Sequence, residues 1–206
     1  MMREGLGQLI GQEPDLVVCG EAESAPEAVE RIAVLKPDLA IVDISLKTGN
    51  GLELIKDVQV RNPTVAVLVI SMHDESLYAE RVLRAGGRGY VMKQEGGKKI
   101  MQAIRQVLSG QVYVSERMSA RILENFSGRR GEAGGSPIER LTDRELEVFQ
   151  LIGQGRGTRQ IAQDLHLSVK TVEVHRLHIK EKLNLSDATA LVRHAVRWVE
   201  SQSAGS

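Results

Sequence analysis

The chain has 206 residues, with equal numbers of basic and acidic side chains and a formal net charge of zero. This length fits one large domain or two small ones, and the charge balance argues against binding nucleic acid through bulk charge. The sequence contains no apolar run long enough to span a membrane and no signal-peptide pattern at its start. Its single cysteine, Cys19, allows no internal disulfide. We therefore expect a cytoplasmic protein.

Charge and composition divide the chain into two parts. Residues 1–127 carry 15 Lys+Arg and 17 Asp+Glu, whereas residues 137–206 carry 10 and 9 and hold four of the five histidines. Between these parts, residues 128–137 contain four glycines and a proline, a composition typical of a flexible linker. The sequence predicts an acidic front domain and a mildly basic back domain.

The front part alternates short runs rich in Val and Ile with segments of helical spacing. The apolar runs are 16–19, 39–42, 65–70 and 89–92, and the helical segments are 3–10, 25–35, 51–60, 75–85 and 98–108. Continuous apolar strands alternating with amphipathic helices predict a parallel α/β sheet covered on both faces. The predicted order opens with a helix, which is unusual for such a sheet.

The back part is helical throughout. Thr142 and Glu145 have the spacing of a capping box, which predicts a helix that begins there and ends near Gly153. Further helices are predicted at 158–165, 168–183 and 187–199, with Ser168 and Asp187 opening the last two and a disordered tail at 201–206. One more helix, at 116–126, is predicted to lead from the front part into the linker.

Polar residues follow three of the predicted strands. Asp43 ends the second run, Ser71 the third and Lys93 the fourth. Because the ligand crevice of a parallel sheet lies at the carboxyl ends of its strands, these side chains are expected to converge. A carboxylate, a hydroxyl and an ammonium suit a phosphorylated aspartate. Asp and Ser serving only as helix caps explains the same pattern.

These residues resemble the CheY-like receiver domain of NarL/FixJ-type regulators over residues 2–120. The resemblance rests on Asp43, Gly51, Ser71, Tyr90 and Lys93, and also on Met2–Leu6, which is similar to the first helix of that family. It implies a flavodoxin-like parallel sheet, with Asp43 as phosphoacceptor and Ser71, Tyr90 and Lys93 as switch residues. One departure is Lys47, where the family usually has proline.

A larger departure concerns Mg²⁺. The family carries two acidic residues at the end of a first strand, before the first helix, and this chain starts after that point. Mg²⁺ requires a shell of hard oxygen ligands, so Asp43 alone is an incomplete metal site, and we expect inefficient phosphorylation. Without the first strand, the runs at 16–19 and 39–43 either pair directly or keep an open slot. We favour a third interpretation, in which Met1 and Met2 are internal to a longer gene product.

The helix predicted at 168–183 has two different faces. Val172, Ile179 and Leu183 share one stripe that must face a core, and the aliphatic residues Val174 and Leu177 point the other way. The predicted DNA contacts are Lys170, Thr171, Glu173, Val174, Arg176, Leu177, His178 and Lys180. Val174 and Leu177 suit thymine methyls and Glu173 a cytosine amine, with basic neighbours on phosphates. Packing against the receiver or a second subunit is the alternative.

Residues 140–200 resemble the LuxR/NarL-type helix-turn-helix domain. The matching residues are Leu141–Glu145, Gly155, Ile161, Ala162, Leu165, Ser168, Thr171, Val172, His175, Ile179, Lys182 and Leu183. The resemblance implies that the third helix enters the major groove and the fourth helps to form a dimer. The apolar stripe of the fourth helix, from Ala188 to Val199, fits a core, a dimer seam or both.

Together these features predict a non-enzymatic, DNA-binding transcription regulator of a two-component system, controlled by phosphorylation of a receiver aspartate. The expected partners are double-stranded DNA, a sensor histidine kinase, a second copy on DNA and RNA polymerase. The predicted domains are a receiver at 1–115, a linker helix and linker at 116–139, a DNA-binding domain at 140–200 and the tail. Two alternatives are a phosphorylation-independent interaction module and an aspartate-dependent phosphatase, for which no second acid is placed.

Overall fold

The structure is a computed structural model that describes residues 2–44, 50–126 and 136–204. The chain forms two compact units, Met1–Leu123 and Glu124–Ser206. Lys47 and the glycine-rich part of the predicted linker lie outside the described residues. In the part of the chain that is described, no helix is both long and apolar enough to cross a membrane.

The first unit alternates helices and strands as predicted from residue 25 onward. Its elements are α1 (Met2–Gly11), α2 (Ala25–Leu35), β1 (Leu39–Val42), α3 (Gly51–Arg61), β2 (Ala66–Ser71), α4 (Glu75–Arg84), β3 (Gly89–Met92), a 3-10 turn (Lys93–Glu95), α5 (Gly96–Leu108) and α6 (Glu116–Phe126). Polar caps begin several helices, with Ser24 on α2, Asn50 on α3 and Asp74 on α4 accepting a hydrogen bond from a free amide of the first turn.

The sheet is parallel, in the order β1-β2-β3. The central strand is the most deeply buried, because helices cover both of its faces; Val67, Leu68 and Val69 are fully inaccessible to solvent. On one face Leu68 and Ile70 pack against Ile104 of α5. All three strands end at the same edge, so the residues that follow them are neighbours in space.

The predicted strand at 16–19 is wrong, because this segment does not pair with any described strand. Leu16 still packs against the core cluster, but Val17 is 84% exposed and Val18 41% exposed. The apolar composition is that of a strand, but a β-strand also requires hydrogen bonds to a neighbouring strand. No described strand lies alongside this segment to supply them.

A cleft of about 930 Å³ lies between residues 16–19 and β1. Its lining includes Leu16 and Val18 of the first segment, Leu39 and Ile41 of β1, and Ile104 of α5. The two segments therefore do not close onto each other, and of the two geometries considered above the open slot is the one observed. β1 consequently forms an edge of the described sheet.

An ion-pair cluster fastens the segment after α1 to α5. Arg105 Nη1 donates to Asp15 Oδ2 at 2.7 Å, and Arg105 also pairs with Glu13. The hydrogen bond from Arg105 lowers the pKa of Asp15, and the same carboxylates raise the pKa of Arg105. These exposed pairs hold the segment in place although it forms no strand.

The second unit is helical, with α7 (Asp143–Gly153), α8 (Thr158–Asp164), α9 (Val169–Lys182) and α10 (Ala188–Ala204) following a 3-10 turn at Pro137–Arg140. The predicted capping box is confirmed: Thr142 Oγ1 accepts from Glu145 N at 3.3 Å, and Thr142 N donates to Glu145 Oε2 at 2.8 Å. Ser168 and Asp187 also cap α9 and α10 as predicted.

The core of this unit lies between α7, α9 and α10. Phe149 of α7 is fully buried, and its ring lies 5.5 Å from that of Trp198. A Cβ at Gly153 would lie 2.4 Å from Ala195 O, so glycine is required where α7 and α10 approach. α10 continues to Ala204, beyond the predicted end near residue 199; no proline or glycine interrupts it before Gly205.

Candidate functional site

The polar residues predicted to converge at the strand ends come from three elements. Asp43 follows β1, Ser71 is the last residue of β2, and Lys93 follows β3. Lys93 Nζ lies 2.6 Å from Asp43 Oδ2, with 19% and 26% of the two side chains exposed. An ammonium is thus held against the one strand-end carboxylate, where it can neutralise negative charge added to Asp43.

Gly51 allows the backbone after Asp43 to turn close to α3. A Cβ there would lie 2.6 Å from Asp43 O and 2.8 Å from Ile44 Cα. The amide of Gly51 donates to Ile44 O at 3.3 Å. Any larger residue at position 51 would displace the main chain that carries Asp43.

Ser71 and Tyr90 both contact the loop that follows β2. Ser71 is fully buried, and its Oγ accepts from His73 N at 3.2 Å. The Tyr90 hydroxyl donates to His73 O at 2.8 Å, and burial raises the pKa of this phenol, which stays neutral. The two predicted switch residues therefore hold the same loop residue, one through its amide and one through its carbonyl.

His73 is a residue of this site that sequence reasoning missed. Its ring stacks on Tyr78 with centroids 4.9 Å apart, and burial lowers its pKa against the opposing influence of Asp43. Nothing in the spacing of the sequence indicated it, because its contacts are made mainly by its backbone.

The described residues do not form a complete Mg²⁺ site. Among them, no group of three or more His, Cys, Asp or Glu side chains is arranged to hold a metal. Asp43 supplies one carboxylate, and that carboxylate contacts Lys93. The donor set that the described residues provide is thus smaller than the oxygen shell that Mg²⁺ prefers.

The helix predicted to read DNA buries one face and exposes the other. Val172 and Ile179 are fully buried and Leu183 is 9% exposed, which confirms the predicted core stripe. On the opposite face Val174 is 42% and Leu177 is 48% exposed. Two large aliphatic side chains thus stand in solvent in the middle of α9.

The remaining predicted contact residues of α9 have different surroundings. Lys170 and Glu173 are exposed. The Thr171 hydroxyl lies 2.7 Å from that of Ser168, at the start of the helix. Arg176 and Lys180 are half-buried beside Leu177, in a groove of about 150 Å³ that Ala188 and Leu191 of α10 complete. Burial lowers the pKa of Arg176, and Glu173 opposes this effect.

His178 is directed towards α7 as well as solvent. Its Nδ1 lies 3.7 Å from Glu145 Oε1, with 49% of the side chain exposed. His175 lies deeper, and burial lowers its pKa. Its Nδ1 is buried without a hydrogen-bond partner among the described residues.

The two units match two described families. The family "Response regulator receiver domain" matches residues 1–105, and "Bacterial regulatory proteins, luxR family" matches residues 139–195. The chain belongs to the NarL/FixJ-type response regulators. As a response regulator with a LuxR-type domain, it is a DNA-binding transcription regulator of two-component signalling, controlled through its receiver.

Relatives of this response regulator match nearly its whole length. It is 32% identical to the oxygen regulatory protein NreC of Staphylococcus carnosus (strain TM300) over 201 residues, covering 96% of this chain and 93% of NreC. It is 31% identical to the transcriptional regulatory protein DegU of Brevibacillus brevis, covering 97% of this chain and 91% of DegU. This similarity does not favour the phosphorylation-independent interaction module.

A solved structure shares the architecture of this response regulator. RcsB from Salmonella enterica serovar Typhimurium, bound to promoter rprA in the presence of phosphomimetic BeF3-, matches with a TM-score of 0.67 and 25% identity. The match covers 94% of this chain and 92% of that one. The predicted fold class, a receiver sheet followed by a helical helix-turn-helix domain, is therefore confirmed.

Proposed function

We propose that Asp43 is the phosphoacceptor of the receiver and that Ser71, Tyr90 and Lys93 respond to its phosphorylation. The contact of 2.6 Å between Lys93 Nζ and Asp43 Oδ2 carries this proposal. A phosphoryl group on Asp43 replaces a single negative charge by a larger one with more acceptor oxygens. Lys93 then pairs with the phosphoryl oxygens, and the Ser71 hydroxyl can leave the His73 amide to donate to them.

The loop at His73 connects the phosphorylation site to α4. Ser71 and Tyr90 hold its amide and its carbonyl, so a rotated Ser71 hydroxyl removes one of the two restraints. The next residue, Asp74, caps α4 by accepting from Ser76 N at 2.7 Å. A change at Ser71 is thus passed to the start of α4, which is how phosphorylation would alter the surface of the receiver.

In the second unit, α9 is the helix that enters the major groove. Val174 and Leu177 contact thymine methyls, and Glu173 accepts from a cytosine amine. Lys170, Thr171, Arg176, His178 and Lys180 contact phosphates and fix the register of the helix. The exposure of Val174 and Leu177 supports this assignment, since a buried partner surface for them is absent within the described part of their unit.

We further propose where the protein works, which partners it has and how its domains divide. It works in the cytoplasm without enzymatic turnover, receives its phosphoryl group from a sensor histidine kinase, and acts on RNA polymerase from the DNA. It binds DNA as a homodimer, for which the exposed Ala188 and Val192 of α10 are available. Residues 1–115 form the receiver, 116–139 the connection and 140–200 the DNA-binding domain.

The test is DNA binding by the full chain before and after treatment with a phosphodonor. A selected operator duplex and a random duplex of the same length are compared by gel shift, with Asp43→Asn beside the parent protein. The proposal expects operator binding by the parent to tighten in proportion to the phosphorylated fraction measured by intact mass, and operator binding by Asp43→Asn to stay unchanged. Equal stimulation of both proteins would assign the response to another site.

A further inference from the structure

Two neighbouring side chains of α7 reach the two helices of the helix-turn-helix separately. Arg144 Nη2 donates to Leu165 O at 2.8 Å, the carbonyl at the carboxyl end of α8. Glu145 Oε2 accepts from Lys182 Nζ of α9 at 2.6 Å. One side chain thus holds the end of α8 where the turn begins, and the next holds the end of α9.

Glu145 is a charged group inside the unit. Only 3% of it is exposed, and the same Oε2 that binds Lys182 also accepts from Thr142 N at 2.8 Å. Its other oxygen, Oε1, lies 3.7 Å from His178 Nδ1, one turn before Lys182 on α9. A carboxylate in such a place must be paired, because an unpaired buried charge is strongly unfavourable.

The apolar stripe of α9 determines which face of the helix is buried, but it tolerates small rotations of the helix about its axis. Val172 and Ile179 are held by burial, which is non-directional. A short hydrogen bond between two charged groups depends on both distance and angle. Buried ion pairs add little to stability compared with apolar residues of the same size, and their best-supported use is to select one arrangement. Glu145 has the position to select the rotation of α9.

A small rotation of α9 displaces the side chains on its exposed face. Side chains reach about 5–6 Å from a helix axis, so a turn of α9 by about 20° moves the tips of Val174 and Leu177 by about 2 Å. A displacement of that size is enough to break a van der Waals contact with a base edge. The orientation of the exposed face therefore depends on a side chain that is remote from it.

We infer that Glu145 is a positioning residue for DNA recognition: through Lys182 and His178 it holds α9 in the orientation that reads bases, with Arg144 fixing the end of α8 beside it. This inference rests on the proposed role of Val174 and Leu177. It assigns operator preference to a buried residue that caps its own helix.

Glu145→Gln separates this role from capping. Glutamine still accepts from Thr142 N, because a capping box tolerates Gln at this position, but it removes the charge that holds Lys182. In the full chain we expect a cooperative melt, operator affinity weakened at least about tenfold and random-duplex affinity changed less than about twofold. Measurements use gel shifts at one salt concentration, because affinity depends on salt.

The double variant Glu145→Gln with Lys182→Met distinguishes a positioning role of Glu145 from simple stabilisation of the domain. Removing Lys182 relieves the unpaired ammonium, so the melting temperature should rise towards that of the parent. Operator preference should stay low, because nothing restores the orientation of α9. Recovery of stability and operator preference together would show that Glu145 only stabilises the domain and would overturn the inference.

A second variant covers the case in which Glu145→Gln does not fold. Lys182→Arg keeps the ion pair but changes its reach, so a melt close to that of the parent and a several-fold loss of operator preference are expected. Unchanged operator preference would contradict the inference. Failure of the proposed base-reading role is seen separately, as Val174→Ala weakening operator and random DNA equally.

Discussion

Lys93 and Asp43 follow strands that are not neighbours, β3 and β1, yet the ammonium of one lies 2.6 Å from the carboxylate of the other. The parallel order of the sheet makes this possible, because β2 lies between them and all three strands end at one edge. The contact places positive charge where a phosphoryl group on Asp43 would lie, and it also occupies the one carboxylate that directly follows a strand of the described sheet.

Asp43 should be the sole phosphoacceptor, and the 206-residue chain should accept phosphate slowly and incompletely. The reason is the single carboxylate at the strand ends, which does not provide the oxygen shell that Mg²⁺ needs. Intact-mass measurement after incubation with acetyl phosphate and Mg²⁺ checks this. Asp43→Asn should show no addition. Rapid, stoichiometric modification of the parent would prove the argument about Mg²⁺ ligands wrong.

Substitutions on α9 should fall into two classes. Val174→Ala should alter sequence preference by about 1–3 kcal/mol per disturbed base contact, whereas Arg176→Ala and Lys180→Ala should weaken binding to all duplexes alike. Gel shifts on a selected operator and on random DNA measure both effects. Lys180→Ala should also reduce the salt dependence of binding, by a slope of about 0.9 if one phosphate contact is lost.

The stability of the helical unit should decrease in acid because of Glu145. Burial alone would raise the pKa of this carboxyl, but hydrogen bonds from Lys182 and Thr142 outweigh it and hold the pKa below the ordinary value of about 4.5. A carboxylate whose pKa is lowered in the folded state stabilises that state above the unfolded pKa and ceases to do so as pH falls through the folded pKa.

Thermal melts of the parent at a series of pH values below about 4.5 should show this loss. Glu145→Gln should melt lower at neutral pH and lose less stability on acidification. Glu200→Gln, at an exposed position of α10, is the control and should follow the parent. An acid response as large in Glu145→Gln as in the parent would assign the effect to other carboxylates.

Gly153→Ala should destabilise the helical unit by about 1–3 kcal/mol, the range for overpacked sites. The added Cβ would lie 2.4 Å from Ala195 O, so α7 and α10 must move apart. Chemical denaturation measures the change. Gly157→Ala is the matched control, because its Cβ meets nothing within 4 Å; its loss should be much smaller. Equal losses would mean that the helices separate freely.

Periodicity and capping predicted most of the helices correctly, because these features depend on residues close together in the sequence. Thr142 with Glu145 and Ser168 with Thr171 are such local pairs. The strand at 16–19 could not be predicted from its own residues, since pairing depends on a neighbour. The convergence of Asp43 and Lys93 followed from the rule for parallel strands, which needs no knowledge of side-chain positions.

Side-chain contacts that depend on how the helices pack, rather than on local composition, were not predictable from the sequence. Glu145 was identified as a cap, but its bond to Lys182, 37 residues away, depends on how α7 and α9 pack. His178 was predicted to face phosphates, and its approach to Glu145 depends on the same packing; its role on DNA stays a prediction. The one feature of the sequence that could have indicated contacts between α7 and the helix-turn-helix is the adjacent, oppositely charged pair Arg144 and Glu145.

The open side of β1 affects how any self-association of this protein is interpreted. Asp38 O accepts from Ala66 N of β2, and in a parallel sheet alternate residues bond to opposite neighbours, so the main-chain groups of Leu39 and Ile41 face the cleft. Such an edge is a template for a strand from another molecule. Dimers or larger particles formed in concentrated solution thus have a route that involves neither α10 nor DNA. A light-scattering mass alone does not identify the regulatory dimer, whereas slowed amide exchange at Leu39 and Ile41 would identify edge-to-edge aggregates.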